Sequence, residues 1–113
     1  MVNYHQRKFK VLKNSTNGEV ADDLIFEYQQ EGNILSCQYA GGEIKQGQLL
    51  GTVNPAGALD FVYQQINAKG ELRTGRCQSK PELMPNGKIR LHEEWQWTSG
   101  DLSKGHSILE EIS

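Results

Sequence analysis

Between its glycines, most of this chain alternates apolar and polar residues with a period of two. The clearest run puts Ile89, Leu91, Trp95 and Trp97 on one face, with Lys88, Arg90, His92, Glu94 and Gln96 on the other. A strand sends successive side chains to opposite faces, so this pattern predicts a half-buried β-strand. Leu59, Phe61 and Tyr63 alternate in the same way with Asp60 and Gln64, and Leu24, Phe26 and Tyr28 with Ile25 and Glu27. Their aromatic content also favours strands. Two stretches carry a helical alternative as well. Val20, Leu24 and Tyr28 fit a helical stripe, and Ile108–Ile112 is compatible with a short terminal helix.

Turn chemistry divides the alternating runs at nearly even intervals. In order, the breaks are Asn14–Gly18, Glu31-Gly32-Asn33, Gly41-Gly42, Asn54–Gly57, Asn67–Gly70, a longer loop from Pro81 to Gly87, and Thr98–Asp101. They leave eight segments of roughly eight to twelve residues, the spacing of an all-β sandwich or barrel. Parallel neighbours need crossovers of a dozen or more residues, so such tight turns imply an antiparallel up-and-down meander. An open meander would expose two edges. The expected architecture is therefore an all-β single domain, residues 1–113, closing into a small barrel of about eight strands.

An internal echo supports successive hairpins. Gly42-Glu43-Ile44-Lys45-Gln46-Gly47-Gln48 and Gly70-Glu71-Leu72-Arg73-Thr74-Gly75-Arg76 share one pattern, and Gly87-Lys88-Ile89-Arg90 repeats its opening. The pattern predicts a turn glycine at positive φ, then an apolar residue facing in, then a strand glycine against which a neighbour packs.

Charge narrows the function classes. Twelve Lys and Arg stand against fourteen Asp and Glu, for a net charge of −2. Phosphate affinity rests mostly on clustered cations, and the only basic cluster is Arg7-Lys8-Lys10-Lys13. Nucleic acid is not an expected partner. No apolar run approaches the ~18–20 residues that cross a bilayer, and the first residues lack the apolar stretch of a secretory signal. The expectation is a cytoplasmic protein with no membrane partner. Cys37 and Cys77 stand 40 residues apart with no CxxC or Cys/His cluster, so no metal site is expected and both read as ordinary reduced thiols.

Candidate chemistry concentrates in Arg90–Trp97. Alternation puts Glu93 on the face of Leu91, Trp95 and Trp97, where an acid must be paired, hydrogen-bonded or neutral. Glu93, Trp95 and Trp97 are thus the candidate ligand-binding residues, the indoles offering flat apolar walls and N–H donors. The alternative is that both Trp fill the core while Glu93 sits at a rim or bulge. His92 and His106 are the acid–base candidates, but no nucleophile motif, P-loop, HExxH or GxGxxG accompanies them, and no cofactor is implied.

Ser79-Lys80-Pro81-Glu82, Asn86–Leu91, Glu94–Asp101 with its core Trp95-Gln96-Trp97-Thr98-Ser99-Gly100-Asp101, and Ser103–Ser107 resemble a family of small bacterial proteins of about this length. Asn17–Val20 and Tyr28-Gln29-Gln30 extend the resemblance over most of the chain. Members often bear the name N-acetylglutamate synthase, which implies acyl transfer, with no residue roles to carry over. Acetyltransferases of the common fold present backbone amides of a (Gln/Arg)-x-x-Gly-x-(Gly/Ala) loop at a helix N-terminus to the cofactor pyrophosphate. Here the nearest match, Gln48–Val53, departs at Val53 and runs into the turn Asn54–Gly57. Three functions follow. The first is a non-catalytic barrel holding a small molecule, as streptavidin- and lipocalin-type barrels do. The second is a small acyltransferase using His92 or His106. The third is a protein–protein module or homodimer acting through its outer sheet face.

Overall fold

The computed structural model describes residues 2–15 and 24–112. The described residues form nine strands: β1 Lys8–Asn14, β2 Ile25–Glu27, β3 Gln29–Glu31, β4 Ile34–Gly41, β5 Ile44–Val53, β6 Leu59–Asn67, β7 Leu72–Leu83, β8 Ile89–Trp97 and β9 Lys104–Ile112. All belong to one antiparallel sheet in the order β2-β1-β9-β8-β7-β6-β5-β4-β3. The terminal strands of that order, β2 and β3, are separated only by Tyr28. They are two halves of one run that switches partner, β2 pairing with β1 and β3 with β4. The result is a nearly closed meander barrel, eight strand positions filled by nine strands.

Both helical alternatives give way where the structure describes them. Ile108–Ile112 belongs to β9, where Leu109 pairs with Val11 and Leu91 on its two sides. Leu24, Phe26 and Tyr28 are buried along an extended segment, while Val20 and residues 16–18 of the first loop lie outside the described residues. Pro81 is not in a loop. It lies inside β7 opposite Leu91, beyond the point where β6 ends opposite Ser79, so the strand has one neighbour there and its missing N–H costs no ladder bond on the other side.

The turns use the chemistry that marked them. Gly42, Gly70 and Gly87 take φ of 56°, 80° and 84°, the left-handed region open to glycine. Asn67 Oδ1 accepts from the amides of Lys69 and Glu71, and Asn86 Oδ1 from that of Lys88, closing their hairpins. The echo holds at Ile44, which is buried, and fails at Leu72, which is exposed. A register shift between Ile44 and Gln46 brings both Ile44 and Gly47 inward on β5; β7 has no such shift, so with Gly75 inward Leu72 must face out.

Four strand glycines lie under aromatic rings of the neighbouring strand. Tyr39 is in register with Gly47, Phe61 with Gly51, Tyr63 with Gly75, and Trp95 with Gly105. A Cβ on Gly47, Gly75 or Gly105 would overlap the ring, and one on Gly51 would overlap the Cβ of Phe61 and the Asp60 carbonyl. Bare backbone thus gives the large side chains room within the wall, and a one-residue slip would drive every ring into a neighbour's Cβ.

The two halves of the interior differ. Towards the end where β5 meets β6 and β7 meets β8, Tyr4, Phe9, Leu35, Leu59, Ile89 and Leu91 are almost wholly buried. Tyr4, from the segment before β1, stoppers this end and donates its hydroxyl to the Gly57 carbonyl at 2.5 Å. Its ring packs against Phe9 and Tyr28, with centroids 6.2 Å away in each case. The opposite half is less densely filled and more polar.

Candidate ligand-binding site

A cavity of about 60 Å³ occupies that second half. At the ~10–15 Å³ a water needs, it has room for several waters or for part of a small ligand. Aromatic rings form most of its wall, with Tyr28, Phe61, Tyr63, Trp95 and Trp97 among them, and Glu93, Cys77, Asn14, Gln65 and Ser107 supply its polar atoms. The alternation of β8 alone delivers three of these residues. Glu93, Trp95 and Trp97 all face inward and are 8%, 8% and 2% exposed. The indoles meet edge to face at 5.8 Å, and Tyr63 stacks edge to face on Trp97 at 5.6 Å.

Most polar atoms of the wall are already engaged. Trp95 Nε1 donates to Ser107 Oγ at 2.8 Å, and Ser107 Oγ donates to Asn14 Oδ1 at 2.6 Å. Tyr39 donates its hydroxyl to Gln65 Oε1 at 2.9 Å. Glu93 is the exception in the wall: it sits between Ser79 on β7 and Ser107 on β9, and its Oε2 is buried with no hydrogen-bond partner, as is the Oγ of Ser79 behind the wall. The Cys77 thiol lies in hydrogen-bonding contact with the carboxyl and partly offsets the burial, which pushes the Glu93 pKa up to about 8. Near neutral pH this acid is largely uncharged. The same burial raises Cys77, to which the neighbouring Glu93 adds, and pushes Cys37 up to about 12. Both thiols are free and buried.

The histidines stand elsewhere. His92 and His106 are exposed on the outer wall. His92 Nε2 lies 2.8 Å from Glu82 Oε1, where both side chains are nearly half exposed, and His106 uses its backbone to bond Ser15. Neither lines the cavity. Gln48–Val53, the nearest match to a cofactor-binding loop, is the body of β5. Among the described residues no group of His, Cys, Asp and Glu is arranged to hold a metal ion, and no helix is long and apolar enough to cross a membrane.

Alternation could have found Cys77, which shares its phase with Gly75 and Ser79 on β7. Asn14 carried no such mark. It follows a register shift in β1 between Val11 and Lys13, which resets the phase after Val11. At the mouth, the Arg73 guanidinium lies over the Trp97 ring, 3.9 Å from its centroid.

No curated protein and no solved structure matches the sequence. A family model described as "Avidin-like protein" matches residues 2–112, which is nearly the whole chain. With its meander barrel and a cavity inside one end, this chain belongs to the avidin-like family.

Proposed function

We propose that this protein binds a small molecule in the cavity of its barrel, with Glu93, Trp95 and Trp97 in contact with the ligand. The observation that carries this reading is the buried carboxyl of Glu93 in the cavity wall, whose Oε2 has no hydrogen-bond partner. An unsatisfied buried polar group costs ~1–3 kcal/mol, and one that lines a cavity can be satisfied by a bound molecule. Family membership supports the same reading. The test is a thermal-shift and tryptophan-fluorescence screen of small metabolites, glutamate and acetyl-CoA included, on wild type and Trp97→Phe. A compound that stabilises wild type and shifts its emission, with a weaker effect in the variant, supports the reading. A screen in which acetyl-CoA alone stabilises, equally in both proteins, points to acyl transfer on the outer wall.

A second reading concerns the outer surface, and one observation favours it. Apart from Lys45 and Asp60 near the strand ends, the outer faces of β4, β5 and β6 carry no charge. Leu50 and Val62 are cross-strand neighbours there, 58% and 56% exposed, with Ile34 and Ile66 nearby. Depletion of charge around exposed apolar side chains marks the core of an interface, and an uncharged face meets its own copy without repulsion. This reading is a homodimer through β4–β6. Light scattering of wild type and of Leu50→Lys/Val62→Lys tests it: a dimer that the double variant dissociates supports it, and a monomeric wild type rejects it.

A further inference from the structure

We propose that the ligand of the barrel cavity is a small organic cation, a compact protonated amine seated among the aromatic faces with an N–H directed to the carboxyl of Glu93. The inference rests on the reading of the cavity as a ligand site and specifies what enters it.

Three observations select the charge. First, among the described residues the cavity lining holds no Lys or Arg and Glu93 is its one carboxyl, so an anionic ligand seated against Glu93 would meet no counter-charge. Second, the hydroxyl, indole and amide groups of the wall bond one another in the Trp95–Ser107–Asn14 and Tyr39–Gln65 pairings. The unused hydrogen-bonding capacity of the lining is at the Glu93 carboxyl, which accepts from a cationic donor once it is ionised. Third, the remaining lining is mostly aromatic, with Val11, Leu49 and Leu109 beside the rings, and ring faces attract cations, more strongly when both are removed from water. The wall already does this once, since the Arg73 guanidinium sits on Trp97.

The charge balance also closes. In the empty site the carboxyl holds its proton because burial disfavours the charged form. The titratable groups packed around it are Cys77 of β7 and Tyr28, both held protonated by burial, with Tyr39 and Tyr63 farther along the wall. When the ammonium enters, the carboxyl proton leaves to solvent and a neutral ion pair replaces the neutral acid. No bond other than that O–H is broken. Binding is therefore accompanied by release of up to one proton, and affinity rises with pH until Glu93 is ionised in the free protein. The cavity volume of about 60 Å³ limits the occupant to a few heavy atoms or to the head of a longer amine.

The test is a set of matched probes titrated against the full chain by tryptophan fluorescence and calorimetry: isobutylammonium chloride, isobutanol as its neutral isostere, isobutyramide as a neutral N–H donor, and benzene as an apolar filler. The expected result is that isobutylammonium binds about tenfold or more tightly than isobutanol and isobutyramide, with affinity rising from about pH 6 and levelling above about pH 8. Glu93→Gln should lose this preference. Calorimetry of wild type in buffers of different ionisation enthalpy reads the released proton directly, which keeps the test decisive should the variant fail to fold. If the alcohol or amide binds as well as the amine, or if no proton is released, the cation is the wrong class while the cavity remains a ligand site. If benzene alone binds, the cation proposal again falls and the cavity reading stands. If no probe binds, both fall.

Discussion

Trp95 on β8 faces Gly105 on β9, and its indole covers the Cα where a side chain on Gly105 would stand. The ring then has one way to lie, with Nε1 on Ser107 and its edge on Trp97. A glycine on one strand thereby fixes a cavity-wall residue on the next. Gly105→Ala is expected to destabilise the protein by ~1–3 kcal/mol, the range for overpacking a well-filled site. Urea denaturation measures the loss, and a change in tryptophan emission of the folded variant would show that Trp95 has moved.

Ser107 links two strands and one tryptophan through a single hydroxyl, accepting from Trp95 and donating to Asn14. Ser107→Ala removes the acceptor of a buried indole N–H, and such an orphaned group costs ~1–3 kcal/mol. Ser107→Thr keeps the hydroxyl and should recover part of the loss. Chemical denaturation of the two variants side by side checks this.

Glu93 makes stability depend on pH in a direction opposite to that of a salt-bridged acid. Its folded pKa is raised by burial to about 8, above the ordinary value of 4.5, so between those values the native state holds a proton that the unfolded chain has released. Stability from this group is fully present below about pH 4.5, falls as pH rises towards about 8, and is flat beyond. At ~1.4 kcal/mol per unit the whole effect is on the order of a few kcal/mol. Glu93→Gln should flatten the profile, so its stability relative to wild type improves between pH 5 and pH 8. A series of urea melts across that range reads the slope.

Cys37 and Cys77 are buried and their thiols are held protonated, Cys37 up to about 12. The thiolate is the nucleophile, so both should resist a thiol-specific chromogenic reagent at neutral pH in the folded protein and react together once it is denatured. Rapid labelling of either thiol in native buffer would contradict the placement of β4 and β7.

The legible part of this protein is the part where alternation runs unbroken. From Ile89 to Trp97 no bulge intervenes, and the sequence placed Glu93, Trp95 and Trp97 on the inward face that the structure shows. Where the ladder shifts, the phase is lost: Leu72 reads as inward by likeness to Ile44, yet the two strands differ by one bulge. Pro81 reads as a loop because proline rarely enters a sheet, and only the end of β6 explains its place in β7. The cavity itself had no signature. Tyr4 fills one end, among the described residues no comparable side chain fills the other, and Tyr4 bonds Gly57, a partner 53 residues away that no local pattern announces. Nor could composition separate His92 and His106 from the site, since a hydrogen-bonded pair such as His92 with Glu82 looks the same on paper wherever it stands.

The run Ile25–Glu31, interrupted at Tyr28, has a consequence for how the molecule meets others of its kind. Alongside Lys8–Lys10 of β1 and Ile34–Ser36 of β4, both borders of the sheet are the same seven residues of chain, joined through Tyr28, whose N–H bonds Arg7 and whose carbonyl accepts from Gln6. A sheet ordinarily offers two rows of unused amides and carbonyls to any passing strand. Here each border is three residues long and turns directly into the other, too short a template for a foreign strand to lengthen. The seam therefore acts as a covalent hem that guards the barrel against edge-to-edge aggregation.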